Sequence, residues 1–159
     1  MSRAQPNGCC RVRWAWNSAA VAYWLLKTEP ETWSWSDQVG KGEAGEPWSG
    51  VRNYQAANNM KQMKKGERAF FYHSGEERRI VGIVEVIGEY RPDPTDEKGR
   101  FGLVEVKAAE ELARPVPLAD VKAAPRLKEM MLVKNTRLSV QPVRAAEWSL
   151  IRRMGGLAP

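Results

Sequence analysis

Short β-branched and alternating segments dominate the hydrophobic pattern of the chain. Residues 80–87 (IVGIVEVI) are the clearest, and they predict a buried strand that Tyr90 extends. Residues 101–106 alternate as its partner strand, after a turn at 92–96 that is rich in proline and aspartate. Further short strands are predicted in four segments, at residues 22–26, 68–72, 112–116 and 137–143.

Helical segments lie between these strands. Thr32 or Ser34 can cap a short helix over 32–39, in which Trp33 and Trp35 cannot both face the same side, so one should pack and the other stay partly exposed. A second helix is predicted over 53–63, with an apolar stripe of Tyr54, Ala57, Met60 and Met63. Later helices are predicted at 117–123, 126–131 and 145–154, the last stopped by two glycines.

Five or six short strands interleaved with short helices favour a small, strongly curved or closed sheet over a doubly wound one. The pattern alone therefore predicts an α+β fold. At 159 residues, the chain is long enough for one domain with a real core.

The stretch from residue 47 to 74 combines a turn, a helix start and a strand end. Trp48 and Gly50 lie in the turn, and Asn53 can cap the helix that follows. The strand over 68–72 ends in three residues with polar groups: Tyr72, His73 and Ser74. Such a convergence predicts a pocket that places aromatic faces beside a few hydrogen-bonding groups, which suits a flat polar ligand.

The formal net charge of +6 permits a polyanionic partner but does not require one. Half of that charge comes from three arginines within residues 1–20, which contain no acid and show no sustained periodicity. We expect residues 1–20 to be a disordered extension and residues 21–159 to be the domain. A weak secretory signal and a true start at Val21 are two alternative interpretations of the extension.

The two cysteines, Cys9 and Cys10, both lie in this extension, so the body of the chain has no disulfide framework. A reducing cytoplasm is the expected location. No apolar run approaches the length of a membrane span, so no membrane partner is expected. As a separate expectation, the protein is a monomer.

Catalytic motifs are missing from the sequence. Residues 40–45 fit GxGxxG, but a helix precedes them and Glu46-Pro47 follows, so they predict a surface loop. His73 is the single histidine and accompanies no GxSxG elbow, and zinc-ligand spacing is absent. The sequence therefore predicts a binding module with no cofactor and no metal, in which Trp24 and Trp48 offer ring faces for a base and Arg52 can meet a phosphate. Core packing of each Trp, and an internal salt bridge of Arg52, are the alternatives.

Several motifs together resemble the EVE domain family. They are WSGVRNYQA at 48–56 and FFYHS at 70–74, preceded by YWLLKTEP at 23–30 and followed by RLSVQPV at 137–143. The resemblance implies a PUA-like β-barrel with flanking helices and a pocket for a modified nucleic-acid base, foremost modified cytosine in DNA. Carried over by motif, the pocket residues are Trp24, Lys27, Trp48, Gly50, Val51, Arg52, Asn53, Tyr72, His73 and Ser74.

One position departs from the family pattern. Ala57 stands where the family usually has arginine, so Lys61 and Lys64 become the candidates for phosphate contact. Two alternatives share the same pocket: a reader of a modified RNA base, and a sensor or enzyme for a small molecule or nucleoside. In the enzyme, Glu29 would act as a base near Lys27.

Overall fold

A mixed sheet of six strands, two of them long and antiparallel, forms the core of the fold. The computed structural model describes residues 22–158. The predicted extension, with Cys9 and Cys10, lies outside the described residues. The cytoplasmic location, which was inferred from these cysteines, therefore stays a prediction. The strand order is β2-β5-β4-β3-β1-β6, with β1 and β3 parallel and every other neighbouring pair antiparallel. The strands are β1 Tyr23–Thr28, β2 Glu46–Trp48, β3 Arg68–His73, β4 Arg79–Pro92, β5 Gly102–Pro117 and β6 Val140–Val143.

Helices pack on both faces of this sheet. They are α1 Trp35–Gly40, α2 Tyr54–Gln62, α3 Leu118–Ala123, α4 Met131–Lys134 and α5 Ala145–Met154, with 3-10 turns at Gly42–Ala44 and Pro125–Leu127. Side chains alternate along each strand, so Leu26 and Phe71 enter one core with α1 and α2, whereas Leu25 and Phe70 enter a second core. Trp148 of α5 belongs to the second core and stacks on Phe70.

The sheet curls strongly because the pairing of its two long strands is irregular. The register between β4 and β5 shifts at four points, and each such bulge adds local twist. Gly82 lets the sheet meet α1 closely, since a Cβ there would lie 2.5 Å from the Trp35 ring. Strand β2 and Ser139, which precedes β6, therefore line one cleft although the two strands are at opposite ends of the strand order.

Helix α2 packs across the curled sheet, contacting β6 at one end of the strand order and the long strands β4 and β5 nearer the other. The Asn59 side chain donates from Nδ2 to the Val140 carbonyl at 2.7 Å, which satisfies an acceptor on the free edge of β6. Within residues 22–158, β2 pairs with β5 alone and β6 with β1 alone. The α+β class and the strand number are confirmed, but the closed barrel is not formed there, since α2 rather than a strand pairing covers the edge.

Several local predictions are confirmed. Ser34 caps α1 in a reciprocal arrangement with Asp37, Asn53 caps α2 through the Ala56 amide, and the last helix spans 145–154 as expected. Trp35 is buried and Trp33 is partly exposed, as the spacing of the two rings required.

Other local predictions are wrong. Residues 112–116 continue β5 instead of forming a separate strand. Strand β6 begins only at Val140, although the Ser139 carbonyl already accepts a hydrogen bond from the Lys27 amide of β1. Tyr54 leaves the apolar stripe of α2 with 60% of its surface exposed, and Ala56 takes its place in the core. None of the helices within residues 22–158 has the length and apolar content needed to cross a bilayer.

Candidate functional site

An open cleft of about 390 Å³ lies where the two ends of the curled sheet face each other. Lys27 and Thr28, at the end of β1, form one wall together with Ser139, which precedes β6. Strand β2 and the loop 49–52 form the opposite wall, and Thr32 and Trp33 lie between the two. The volume falls in the range of small-ligand sites, about 300–1,000 Å³.

Asp93 holds the loop that forms one wall of this cleft. Its Oδ2 accepts hydrogen bonds from the Gly50 amide at 2.9 Å and from Arg52 Nη1 at 3.1 Å. Its Oδ1 accepts from the Thr95 amide at 2.8 Å and from the Thr95 hydroxyl at 2.6 Å. One buried carboxylate therefore ties the 49–52 loop to the turn between β4 and β5.

These bonds determine the ionisation of Asp93. Burial by itself would raise the pKa of this carboxyl, but hydrogen bonds from Thr95, the Gly50 amide and Arg52 outweigh it and lower the pKa to about 2. The loop is therefore fixed by an ionised group throughout the physiological range. Gly50 completes the turn with a φ of +84°, a conformation that glycine adopts without strain.

Two tryptophans give the cleft aromatic surface. Trp48 is 8% exposed and packs edge-on against Phe71 at 5.7 Å, so its ring serves the core and the cleft wall together. Trp33 is half-buried, and its indole Nε1 donates to Gln38 Oε1 at 2.9 Å. That bond fixes the ring orientation, which favours stacking on a flat ligand.

Lys27 supplies a cation at the β1 wall. Its Nζ donates to the Thr136 carbonyl at 2.6 Å and lies 5.6 Å from the centre of the Tyr72 ring. Burial lowers the pKa of this ammonium from its ordinary value. Glu29, the base of the alternative enzyme, is exposed and is not among the residues that line the cleft.

The structure brings five of the predicted pocket residues to the cleft: Lys27, Trp48, Gly50, Val51 and Arg52. Arg52 also forms the internal salt bridge that was its alternative role, yet its side chain remains 39% exposed. The guanidinium therefore positions the loop and still faces solvent.

The other predicted pocket residues lie elsewhere. Trp24 is buried in the core, where its indole Nε1 donates to Glu67 at 2.9 Å. Asn53 uses its side-chain oxygen as the cap of α2, and the Ser74 amide donates to the Thr28 carbonyl. Tyr72 belongs to the second core, and burial, opposed by the nearby Arg78, raises the pKa of its phenol.

His73 is occupied by structural contacts on both ring nitrogens. The Trp35 amide donates to Nε2 at 3.0 Å, so Nε2 acts as an acceptor. Nδ1 lies 2.8 Å from Glu77 Oε1, and the neutral tautomer that satisfies both contacts carries its proton on Nδ1. The hydrogen bond from His73, with help from Arg79, lowers the pKa of Glu77.

The phosphate-contact candidates are on the exposed side of α2 and beyond it. Lys61 and Lys64 are both exposed, and Lys61 Nζ lies 5.6 Å from the centre of the Tyr90 ring. Ala57, the position that departs from the family pattern, is buried and lies one helical turn before Lys61. An arginine there would have to leave the core to reach a ligand.

Sequence reasoning missed several cleft residues. The sequence predicts only a helix around Trp33, a loop boundary at Glu46 and a turn in place of β2. For Asp93, which anchors the cleft loop without lining the cleft, it predicts only a place in a turn. The Asp-Pro-Thr sequence does signal the local bond from the Thr95 amide, because aspartate commonly accepts from the amide two residues later. Its bonds to Gly50 and Arg52 have no local signal.

The chain belongs to the EVE domain family, whose model matches residues 22–154. The resemblance drawn from the sequence motifs is therefore confirmed. Human thymocyte nuclear protein 1 is 32% identical over 162 residues, which cover 82% of this chain and 72% of that protein. Chicken thymocyte nuclear protein 1 is 34% identical over 161 residues, which cover 81% of this chain. The chain spans only 66% of the length of that protein.

Solved structures agree with this assignment. A protein from Rhodopseudomonas palustris, solved by NMR, is 58% identical with a TM-score of 0.82, over 86% of this chain and 94% of that one. The crystal structure of human THYN1 protein in complex with 5-methylcytosine containing DNA has a TM-score of 0.81 at 31% identity. The match covers 87% of this chain and 99% of that one. A YTH domain from Zygosaccharomyces rouxii, in complex with N6-methyladenosine RNA, shares the fold alone. It is 18% identical with a TM-score of 0.52, and the match covers 87% of this chain and 89% of that one.

Proposed function

We propose that this chain is a non-enzymatic module that binds nucleic acid and admits one modified base, a modified cytosine in DNA, into the cleft. The observation that carries the proposal is the cleft itself, in which two tryptophans flank a loop fixed by a buried carboxylate. Its membership of a family that includes a protein solved with 5-methylcytosine DNA supports the same ligand class.

The cleft offers the two interactions that recognition of an extruded base needs. Stacking on an aromatic ring contributes about 1–3 kcal/mol per base, and Trp33 is the ring with the more accessible face. A methyl group that gains apolar contact, for example with Pro47 or Val51, adds about 0.8 kcal/mol. Outside the cleft, exposed Lys61 and Lys64 are proposed to contact the phosphate backbone.

Catalysis is not part of the proposal. His73 has both nitrogens engaged in structural contacts, and Glu29 lies outside the cleft lining, so neither acts as a base on a ligand there. The expected monomer stays a prediction that analytical ultracentrifugation will test.

The proposal is tested with the full chain and fluorescent oligonucleotides that differ at one position. We will compare cytosine, 5-methylcytosine and 5-hydroxymethylcytosine, in DNA and RNA, at two salt concentrations. Preference for a modified DNA strand supports the proposal, whereas preference for a modified RNA strand favours the RNA reader. Weak binding that is equal for all strands and depends only on salt would contradict base recognition.

Trp33→Ala examines the role of stacking. Removal of the ring should weaken binding of the modified strand at least fivefold while the fold stays cooperative, because Trp33 is at the border of the core. Tyr23→Ala is the matched control, since Tyr23 is also half-buried but packs on Trp148 in the second core. Equal losses of affinity in the two variants would show that general destabilisation, not stacking, explains the result.

A further inference from the structure

Glu46 presents a carboxylate to the same cleft as Trp48. The two residues are separated by one position in β2, and side chains two apart in a strand lie on the same face of the sheet. Both line the cleft, and the Glu46 side chain is 30% exposed. A hydrogen-bond acceptor with a full negative charge therefore stands beside an aromatic wall.

This carboxylate is only partly engaged by the protein. Its Oε1 lies 3.4 Å from Lys41 Nζ, which is half-exposed on the neighbouring turn. Within residues 22–158, its Oε2 has no hydrogen-bond partner. The nearer ion pair in this region joins Glu43 to Lys107, at 2.6 Å, and leaves Glu46 out.

The chemistry of a carboxylate restricts what can lie against it. It accepts hydrogen bonds and donates none, so it repels a phosphate and leaves a carbonyl oxygen without a partner. Cytosine and adenine carry an exocyclic amino donor where thymine, uracil and hypoxanthine carry a carbonyl oxygen, and guanine carries its amino group at another edge position beside a carbonyl.

We infer that Glu46 determines base specificity by accepting a hydrogen bond from the exocyclic amino group of the base in the cleft. This inference rests on the proposed function and refines it: the ligand is an amino-bearing base, and its amino edge faces β2. The Lys41 ion pair engages one carboxylate oxygen at 3.4 Å and leaves the other available.

The experiment compares two DNA strands that differ only in the amino group, one with 5-methylcytosine and one with thymine. Binding to the full-length wild-type chain and to Glu46→Gln is measured by fluorescence anisotropy. Wild type should prefer the 5-methylcytosine strand about tenfold, which corresponds to one charge-assisted hydrogen bond of about 1.4 kcal/mol. Glu46→Gln should lose most of that preference, because a carboxamide can also donate to the thymine oxygen.

Glu43→Gln is the matched control. It removes the same charge from the adjacent turn, but Glu43 is outside the cleft lining and strongly exposed. This variant should keep the tenfold preference. Glu46→Ala serves as a second variant, and thermal melting establishes that each variant is folded before binding is measured.

Each outcome has a distinct meaning. A wild-type chain that binds both strands equally but above the salt-sensitive background, or a Glu46→Gln variant that keeps the full preference, overturns the role of Glu46. The comparison of cytosine with 5-methylcytosine then still tests the base-reader proposal. Failure of wild type and Glu43→Gln to bind any strand above the salt-sensitive background overturns the proposed function itself. A second pair of strands, one with adenine and one with hypoxanthine, is measured in the same way. A preference for adenine that Glu46→Gln removes supports the amino-edge inference and changes the identity of the base.

Discussion

Replacing Asp93 with asparagine tests how the fold holds the cleft loop. The substitution keeps the shape of the side chain but removes its charge and turns one oxygen into an amide donor. Oδ1 and Oδ2 each accept two hydrogen bonds, so whichever oxygen is replaced, a donor would then face donors. Asp93 is almost completely buried, and water cannot replace the lost partners without movement of the loop.

The pKa of Asp93 gives the magnitude of this effect. The drop from the ordinary value of 3.8 to about 2 corresponds to about 2 kcal/mol of stability, since each tenfold change in acidity is worth about 1.36 kcal/mol. Because the folded pKa is depressed, this stability is fully present above about pH 5 and is lost as the pH falls through the folded value near 2. Asp93→Asn lacks this contribution at every pH.

Urea unfolding at pH 7 and pH 3 measures the prediction. At pH 7 the variant should be less stable than wild type by at least about 2 kcal/mol, and the gap should narrow by about 1 kcal/mol at pH 3. Glu97→Gln is the control, because Glu97 is exposed in the same turn and its replacement should change stability by less than about 0.5 kcal/mol. The assignment of Asp93 as the ionised anchor of the loop would be refuted by either of two results. One is a stability difference between wild type and Asp93→Asn of less than about 0.5 kcal/mol at pH 7. The other is a difference that is the same at both pH values.

Two further substitutions test the sheet and its covering helix by urea unfolding. Gly82→Ala would place a Cβ about 2.5 Å from the Trp35 ring and should lower the free energy of unfolding by about 1–3 kcal/mol. Gly40→Ala is the control, because no atom lies within 4 Å of its Cβ and the free energy of unfolding should not fall. Equal effects of the two substitutions would contradict the close approach of Gly82 to Trp35. Asn59→Ala removes the 2.7 Å hydrogen bond to the Val140 carbonyl and should lower the free energy of unfolding by about 1 kcal/mol. Asn58→Ala is the neutral control, because Asn58 is exposed. An Asn59→Ala variant as stable as wild type would mean that this bond does not protect the edge of β6.

Periodicity and capping chemistry predicted much of the local structure. The β-branched run at 80–87 formed the core of β4, and the capping residues Ser34 and Asn53 began their helices where expected. These features are local because each depends on residues within one or two turns of the chain. The motif resemblance then supplied the family, and the family model confirmed it over residues 22–154.

Predictions of single pocket residues were less successful because they depended on distant contacts. Trp24 and Trp33 are both aromatic, and only the packing of β1 against Glu67 places the first in the core while the second remains at the cleft. His73 was a natural candidate for contact, but the amide of Trp35, 38 positions away, occupies one of its nitrogens. No pattern within a short window carries that information.

The sequence by itself determined the α+β class, most of the strands and helices, and the family, because each depends on short-range periodicity or on contiguous motifs. The tertiary structure decided that the sheet stays open within residues 22–158, with α2 covering the edge of β6. It also decided which residues meet in the cleft, since Lys27, Glu46 and Ser139 come from distant segments. The physical reason is that the bulges between β4 and β5 curl the sheet, and this curl brings its two ends together across a gap that local sequence does not encode.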